Sequence, residues 1–136
     1  MRRFLLLGFS ALAACTAPQP TETALEGTAW VLDTITFADG HTEDGQGATL
    51  SFGPDDQVGV QSCNTCGGTY RVEGDVLRFN EIACTMMACE SRREIGGHFR
   101  GAVPFEHEGD HLRLTLANLD GQPATLHFRP APPPGP

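Results

Sequence analysis

The chain has 136 residues, with 17 acidic against nine basic side chains and a formal net charge of −8; every basic residue is arginine. So acidic a chain argues against nucleic acid or anionic headgroups as partners, because both select for basic patches. The length fits one domain with a modest core.

Arg2 and Arg3 precede an apolar stretch, residues 4–14. It is shorter than the about 20 apolar residues that cross a bilayer, and it predicts an export signal over residues 1–14. Leu12-Ala13-Ala14-Cys15 resembles the bacterial lipobox, in which the cysteine is lipidated and becomes the new N-terminus. That resemblance makes Cys15 the lipidation site, its several acyl chains (palmitate among them) giving stable anchoring where one chain is marginal. Thr16 follows rather than aspartate; by likeness to lipoprotein sorting in Gram-negative cells, this implies the periplasmic face of the outer membrane. Residues 15–24 are polar and proline-bearing and predict a flexible tether.

Residues 25–129 read as the domain, and their pattern is mostly β. Residues 30–37 mix aromatic and β-branched side chains. Leu50 and Phe52, then Val58 and Val60, alternate with polar or small neighbours. Tyr70 and Val72 lead into a Glu73-Gly74-Asp75 turn, with Leu77 and Phe79 beyond it. Leu112, Leu114 and Leu116, and later Leu126 and Phe128, alternate in the same way. A period of two means that each strand buries one face. One helix is predicted over residues 91–100, where Ser91 and Glu94 match a capping box and Ile95 and Phe99 share a face, although Gly96 and Gly97 weaken it. Several hairpins around one helix predict a mainly β (α+β) fold, a small antiparallel barrel-like domain whose closure hides strand edges. Residues 130–136, PAPPPGP, predict a disordered, polyproline-like tail.

Cys63, Cys66, Cys84 and Cys89 form two close groups, Cys63-Asn64-Thr65-Cys66 and Cys84 to Cys89. Four cysteines in an exported domain normally pair. Nested and crossed pairings would each staple the first group to the second, while local pairing would close only tiny loops. A long-range bridge contributes about 3 kcal/mol in the chain-entropy model. The same spacing in a reducing compartment would suggest zinc. A redox C-x-x-C would stand at the start of a helix, whereas Gly67-Gly68 and a strand follow here. Met86 and Met87 would suit copper(I), but oxidised cysteines would not join them as ligands. No metal and no cofactor is expected.

Leu25-Glu26-Gly27-Thr28-Ala29-Trp30, then Cys63-Asn64 with Gly68 and Tyr70, then Thr85-Met86-Met87-Ala88-Cys89 resemble the META domain family, which includes HslJ-like heat-shock proteins. Trp30, Asn64, Gly68, Tyr70, Thr85 and Met87 are the matching motif positions. Two departures stand out: Ser62 where the family often has glycine, and Cys66 and Cys84 beyond its one cysteine per motif. If the family pair corresponds to Cys63–Cys89, the added pair is left as Cys66–Cys84, so the resemblance implies the nested connectivity. It also implies a compact β-rich barrel with one helix and an envelope role linked to stress, with no catalytic activity firmly attached. The residues themselves suggest structural roles: a left-handed turn at Asn64, a backbone bond from Thr85, a core gap filled by Met87.

The five histidines show no metal-like clustering, though His107 and His111 flank a turn and would face one another across a hairpin. No hydrolase, zincin or phosphate-loop motif occurs. The expectation is a non-enzymatic, lipid-anchored binding or stress-protective module of the cell envelope, its partner an unknown envelope protein or a small hydrophobic ligand. An alternative is an inhibitor of a basic hydrolase such as lysozyme, using the acidic segments 39–44 or 106–110. Another is a carrier with an apolar cavity.

Overall fold

The computed structural model describes residues 22–132. The export signal, Cys15, most of the tether and the end of the tail lie outside those residues. A single helical turn, α1 (Glu22–Leu25), leads into β1 (Ala29–Phe37), β2 (Thr42–Asp44), β3 (Thr49–Phe52), β4 (Gln57–Gln61), β5 (Thr65–Glu73), β6 (Val76–Cys84), β7 (Gly101–Glu108), β8 (His111–Leu119) and β9 (Gln122–Pro130). Strands β3 to β9 follow one another as antiparallel neighbours, and β1 closes the ring by pairing with both β3 and β9. The result is an eight-stranded antiparallel barrel with β2 added as a short flap on the second half of β1.

A barrel of eight strands is just wide enough for side chains to fill it. The alternation in the sequence supplies them: Ile35, Leu50, Leu77, Leu112, Leu114 and Leu126 have no exposed surface. Phe52 meets Tyr70 edge-on at 4.7 Å, and Phe79 meets Phe99 at 5.2 Å. Trp30 is buried with its Nε1–H donated to Thr28 Oγ1 at 2.9 Å, which satisfies its one polar atom.

Two irregularities shape the barrel. The β1–β9 register shifts between Leu32 and Thr34, so Leu32 and Ile35 both point inward although three residues apart. At this bulge β1 changes partner from β3 to β2. The second bulge is in β6: Gly67 pairs with Ala83 and Thr69 with Asn80, which leaves an extra residue around Glu81, whose φ is +55°. Gly68 faces that bulge. A Cβ there would stand 2.7 Å from the Asn80 carbonyl oxygen and 2.6 Å from Ile82 Cδ1, which is why this motif position takes glycine.

Three expectations change. Residues 91–100 form no α-helix; a 3-10 turn over Gly96–His98 is what remains. The Glu94 carboxylate is divided between Asn64 N across the loop, at 2.7 Å, and Gly97 N in its own turn, at 3.3 Å, and two glycines weaken any longer helix. Strand β7 is absent from the predicted elements, and Pro104 stands within it. The proline is tolerated where β6 begins, opposite Val76, and Val103 and Phe105 still point inward. Finally, the chain stays in the ladder through Pro130, and Ala131 N donates to Ala29 O at 2.8 Å, so the predicted tail is ordered at its start.

Alanine at Gly68 should cost about 1–3 kcal/mol through overpacking. Urea denaturation of Gly68→Ala beside the wild type measures this, and an unchanged midpoint would remove the steric account of the motif glycine.

Candidate functional site

The chain enters β1 at one end of the barrel, and the turns β3–β4, β5–β6 and β7–β8 lie at that end by strand direction. The opposite end gathers the β1–β2 and β4–β5 turns, the β8–β9 turn and the long segment between β6 and β7. The motif residues Asn64, Thr85 and Met87 meet at this second end, while Trp30 lies near the entry end. Cys63 is bonded to Cys89 and Cys66 to Cys84, the nested pairing. Cys66 and Cys84 are also direct cross-strand partners.

Asn64 is the hub between the bridges and is 7% exposed. Its Oδ1 accepts from Met87 N at 2.7 Å and from Thr85 Oγ1 at 3.0 Å. Its Nδ2 donates to Met87 O and Cys89 Sγ, each at 3.4 Å, and its backbone N donates to Glu94 Oε2 at 2.7 Å. Asn64 does not adopt a left-handed turn, since its φ is not positive; one buried amide splints the loop through both its donors and its acceptor. Thr85 also takes the Thr65 N–H on Oγ1 at 3.1 Å. Met87 fills no core gap: it is 65% exposed beside Met86 at 96%.

The departures from the family pattern have local reasons. Ser62 is buried and its Oγ accepts from Ile95 N at 3.1 Å, tying the 3-10 turn to the β4–β5 turn. A Cβ on Gly96 would come 2.3 Å from Cys66 Sγ, so the second bridge depends on a glycine in the facing segment. Cys63, Cys89 and Glu94 bring three donor atoms within 4.8 Å of one another. With the two sulfurs bonded to each other, neither is the thiolate that a metal needs.

A third clasp is ionic. Arg93 reaches Glu43 Oε2 at 2.6 Å and Asp120 Oδ2 at 2.8 Å, and lies 5.5 Å over the Phe37 ring. Burial opposes its charge, but Asp120 and Glu43 outweigh that and raise its pKa. Arg93 in turn holds the Asp120 carboxyl below its usual value. Asp39 is lowered as well, chiefly by the backbone N–H and the side chain of His41, whose ring stacks on Phe37 at 4.2 Å. His107 and His111 do not face one another. His107 pairs with Leu112 and lies edge-on to Trp30, while His111 pairs with Glu108 on the other face.

The outer wall of β1, β9, β8 and β7 carries a groove of about 610 Å³. Thr36, Thr125 and Thr115 form one rung across it by strand register, and His127, Arg113 and Glu106 form the next. Arg113 bridges Glu106 at 2.6 Å, and Thr36 Oγ1 is hydrogen-bonded to His127 Nε2 at 3.2 Å. Burial, helped by Arg113 and opposed by Asp33, lowers the His127 pKa. The alternation had placed His127 on the polar side of its strand; what it could not show is which outward residues of distant strands line up beside it.

These features define a disulfide-stapled small β-barrel with a buried apolar core, one end of which is built around the motif residues Asn64, Thr85 and Met87. The chain belongs to the META domain family, whose model matches residues 23–131. Two solved structures resemble it. One is a protein from Burkholderia xenovorans determined by NMR, 21% identical over 92% of this chain and 99% of its own, with a TM-score of 0.59. The other, also an NMR structure, is 18% identical over 81% and 94%, with a TM-score of 0.58. At these identities the likeness is one of fold. No protein of curated function matches the chain.

Asn64→Ala removes the splint and leaves buried partners unpaired, a loss of about 1–3 kcal/mol. Hydrogen exchange should rise at Thr65 and Met87 first, and uniform exchange across the barrel would count against the hub. A folded pKa below the ordinary value means the unfolded chain protonates first at His127. Stability therefore falls as pH drops through the usual histidine range near about 6.5, and His127→Gln should flatten that slope in thermal melts. The lowered carboxyls of Asp39 and Asp120 act separately: their contribution is present above about 3.9 and is lost as pH falls further.

Proposed function

We propose that the chain is a lipid-anchored envelope lipoprotein, tethered through Cys15, and that it works as a non-enzymatic binding or stress-protective module. One observation carries this reading: the stapled end, which holds the motif residues Asn64, Thr85 and Met87 and the exposed Met86–Met87 tip, lies opposite the end where the chain enters from its tether. An anchored barrel would therefore present that end away from the membrane. Two long-range disulfides suit an oxidising compartment. The entry end carries Asp55, Asp56, Asp75, Glu108 and Asp110 in its turns, and anionic headgroups would repel it, holding the domain off the surface.

The alternatives gain less support. A carrier needs an apolar cavity, whereas the barrel interior is filled by its own side chains. An inhibitor would use acidic segments 39–44 or 106–110, but Glu43 is engaged by Arg93 and Glu106 by Arg113.

Cys15→Ser should move the protein from the membrane fraction to the soluble periplasmic extract; continued tight membrane association would overturn the anchor. In the anchored protein, a photo-crosslinker at position 86 should capture a partner that one at Asp55 does not. Equal yields at the two positions would remove the orientation.

A further inference from the structure

Met86 and Met87 cap the loop between β6 and β7 and are the large apolar side chains left exposed on the described surface, 96% and 65% accessible. Both are thioethers. The other sulfur atoms among the described residues are locked in two disulfides, and the third methionine of the sequence is Met1, outside those residues. The oxidisable rings of Trp30 and Tyr70 are buried in the barrel. A two-electron oxidant arriving from water therefore meets this methionine pair before any other soft nucleophile of the domain.

We propose that Met86 and Met87 form a reversible oxidation site whose substrates are hypohalous acids and peroxides. A sulfur lone pair attacks the oxygen of hypochlorous acid or hydrogen peroxide. An S–O bond forms as the O–Cl or O–O bond breaks, and chloride with a proton, or water, leaves. The sulfur loses two electrons and the oxidant gains them. A dithiol reductase restores the thioether, its two thiols becoming a disulfide while the oxygen leaves as water.

The loop is built to survive this chemistry. Methionine sulfoxide disrupts a core because it adds a polar oxygen to packed apolar surface, but these two side chains point mainly into water. The loop keeps its shape through main-chain bonds: Met87 N and Met87 O are both held by the Asn64 amide. Disulfides at Cys84 and Cys89 pin it on either side. Oxygen is added at the tip while the splint beneath it stays intact. The tip changes from apolar to polar, and reduction reverses the change. The site stands on exposure and sulfur chemistry and does not rest on the anchored-module reading.

The test is limiting hypochlorite on the full chain carrying Cys15→Ser, so that no free thiol competes, with disulfides intact and peptide mass mapping as the readout. The first oxygens on the domain should map to Met86 and Met87, each adding about 16 Da, at rates within about threefold of N-acetylmethionine. The thermal midpoint should not move, and methionine sulfoxide reductase with thioredoxin should return the original mass. A Met86→Leu/Met87→Leu variant should melt like the wild type and consume two equivalents less. Any of four results would overturn the proposal: oxidation first at Trp30 or the cystines, reaction more than about tenfold slower than N-acetylmethionine, unfolding on oxidation, or equal oxidant consumption by the double variant.

Discussion

Everything in this molecule depends on β1 serving two neighbours at once. It must pair with β9 along its length and with β3 and then β2 on its other edge. The Asp33 bulge makes this possible by resetting the inward pattern, so that Trp30 and Leu32 fill one half of the barrel and Ile35 and Phe37 the other. Gly45 is the matching concession on the partner side, its backbone pressed against the Leu32 carbonyl where a Cβ would overlap at 2.0 Å. Closure removes the unpaired edges that β1 and β9 would otherwise expose, and it encloses a core with no unsatisfied buried side-chain polar atom among the described residues.

Closure alone would leave one end of the barrel loosely covered by the segment from Thr85 to Arg100. Three kinds of interaction fasten it. Disulfides restrict the unfolded chain more than they add contacts. The Asn64 amide sets the path of residues 85–89 within the larger loop that the disulfides allow. Arg93 then joins the segment to the β1–β2 hairpin and the β8–β9 turn through Glu43 and Asp120. The buried amide carries the specificity and the half-exposed ion pairs less of the energy, since solvent screens the latter. Together they hold the methionine tip on a fixed base.

Much of this was legible in the residues. Alternating leucines at 112, 114 and 116 pointed to a strand with one buried face, and that is what β8 is. The motif positions Trp30, Gly68 and Tyr70 fell within a barrel, as the family resemblance implied. Less was legible where a local signal competed with a distant partner. Ser91 and Glu94 look like a helix start, yet the shorter of Glu94's two backbone bonds goes to Asn64, thirty residues earlier in the chain, and the other to Gly97. Pro104 breaks a strand pattern on paper but costs little where no ladder partner needs its missing N–H. Asn64 and Met87 read as a turn former and a core filler because a residue type states what it can do, while its neighbours decide what it does.

The sequence by itself determined the class of the domain: a period-two pattern, turn residues at hairpin spacing and four cysteines in two groups specify a disulfide-bearing β domain, because these signals act within a few residues. Tertiary structure alone decided that Asn64 splints the loop, that Arg93 bridges two hairpins, that Thr36, Thr115 and Thr125 form one rung, and that Met86 and Met87 face water. Each of those outcomes is a matter of register between strands far apart in the chain. Register is set by barrel closure and by two single-residue bulges, and a shift of one residue would turn every such side chain to the opposite face.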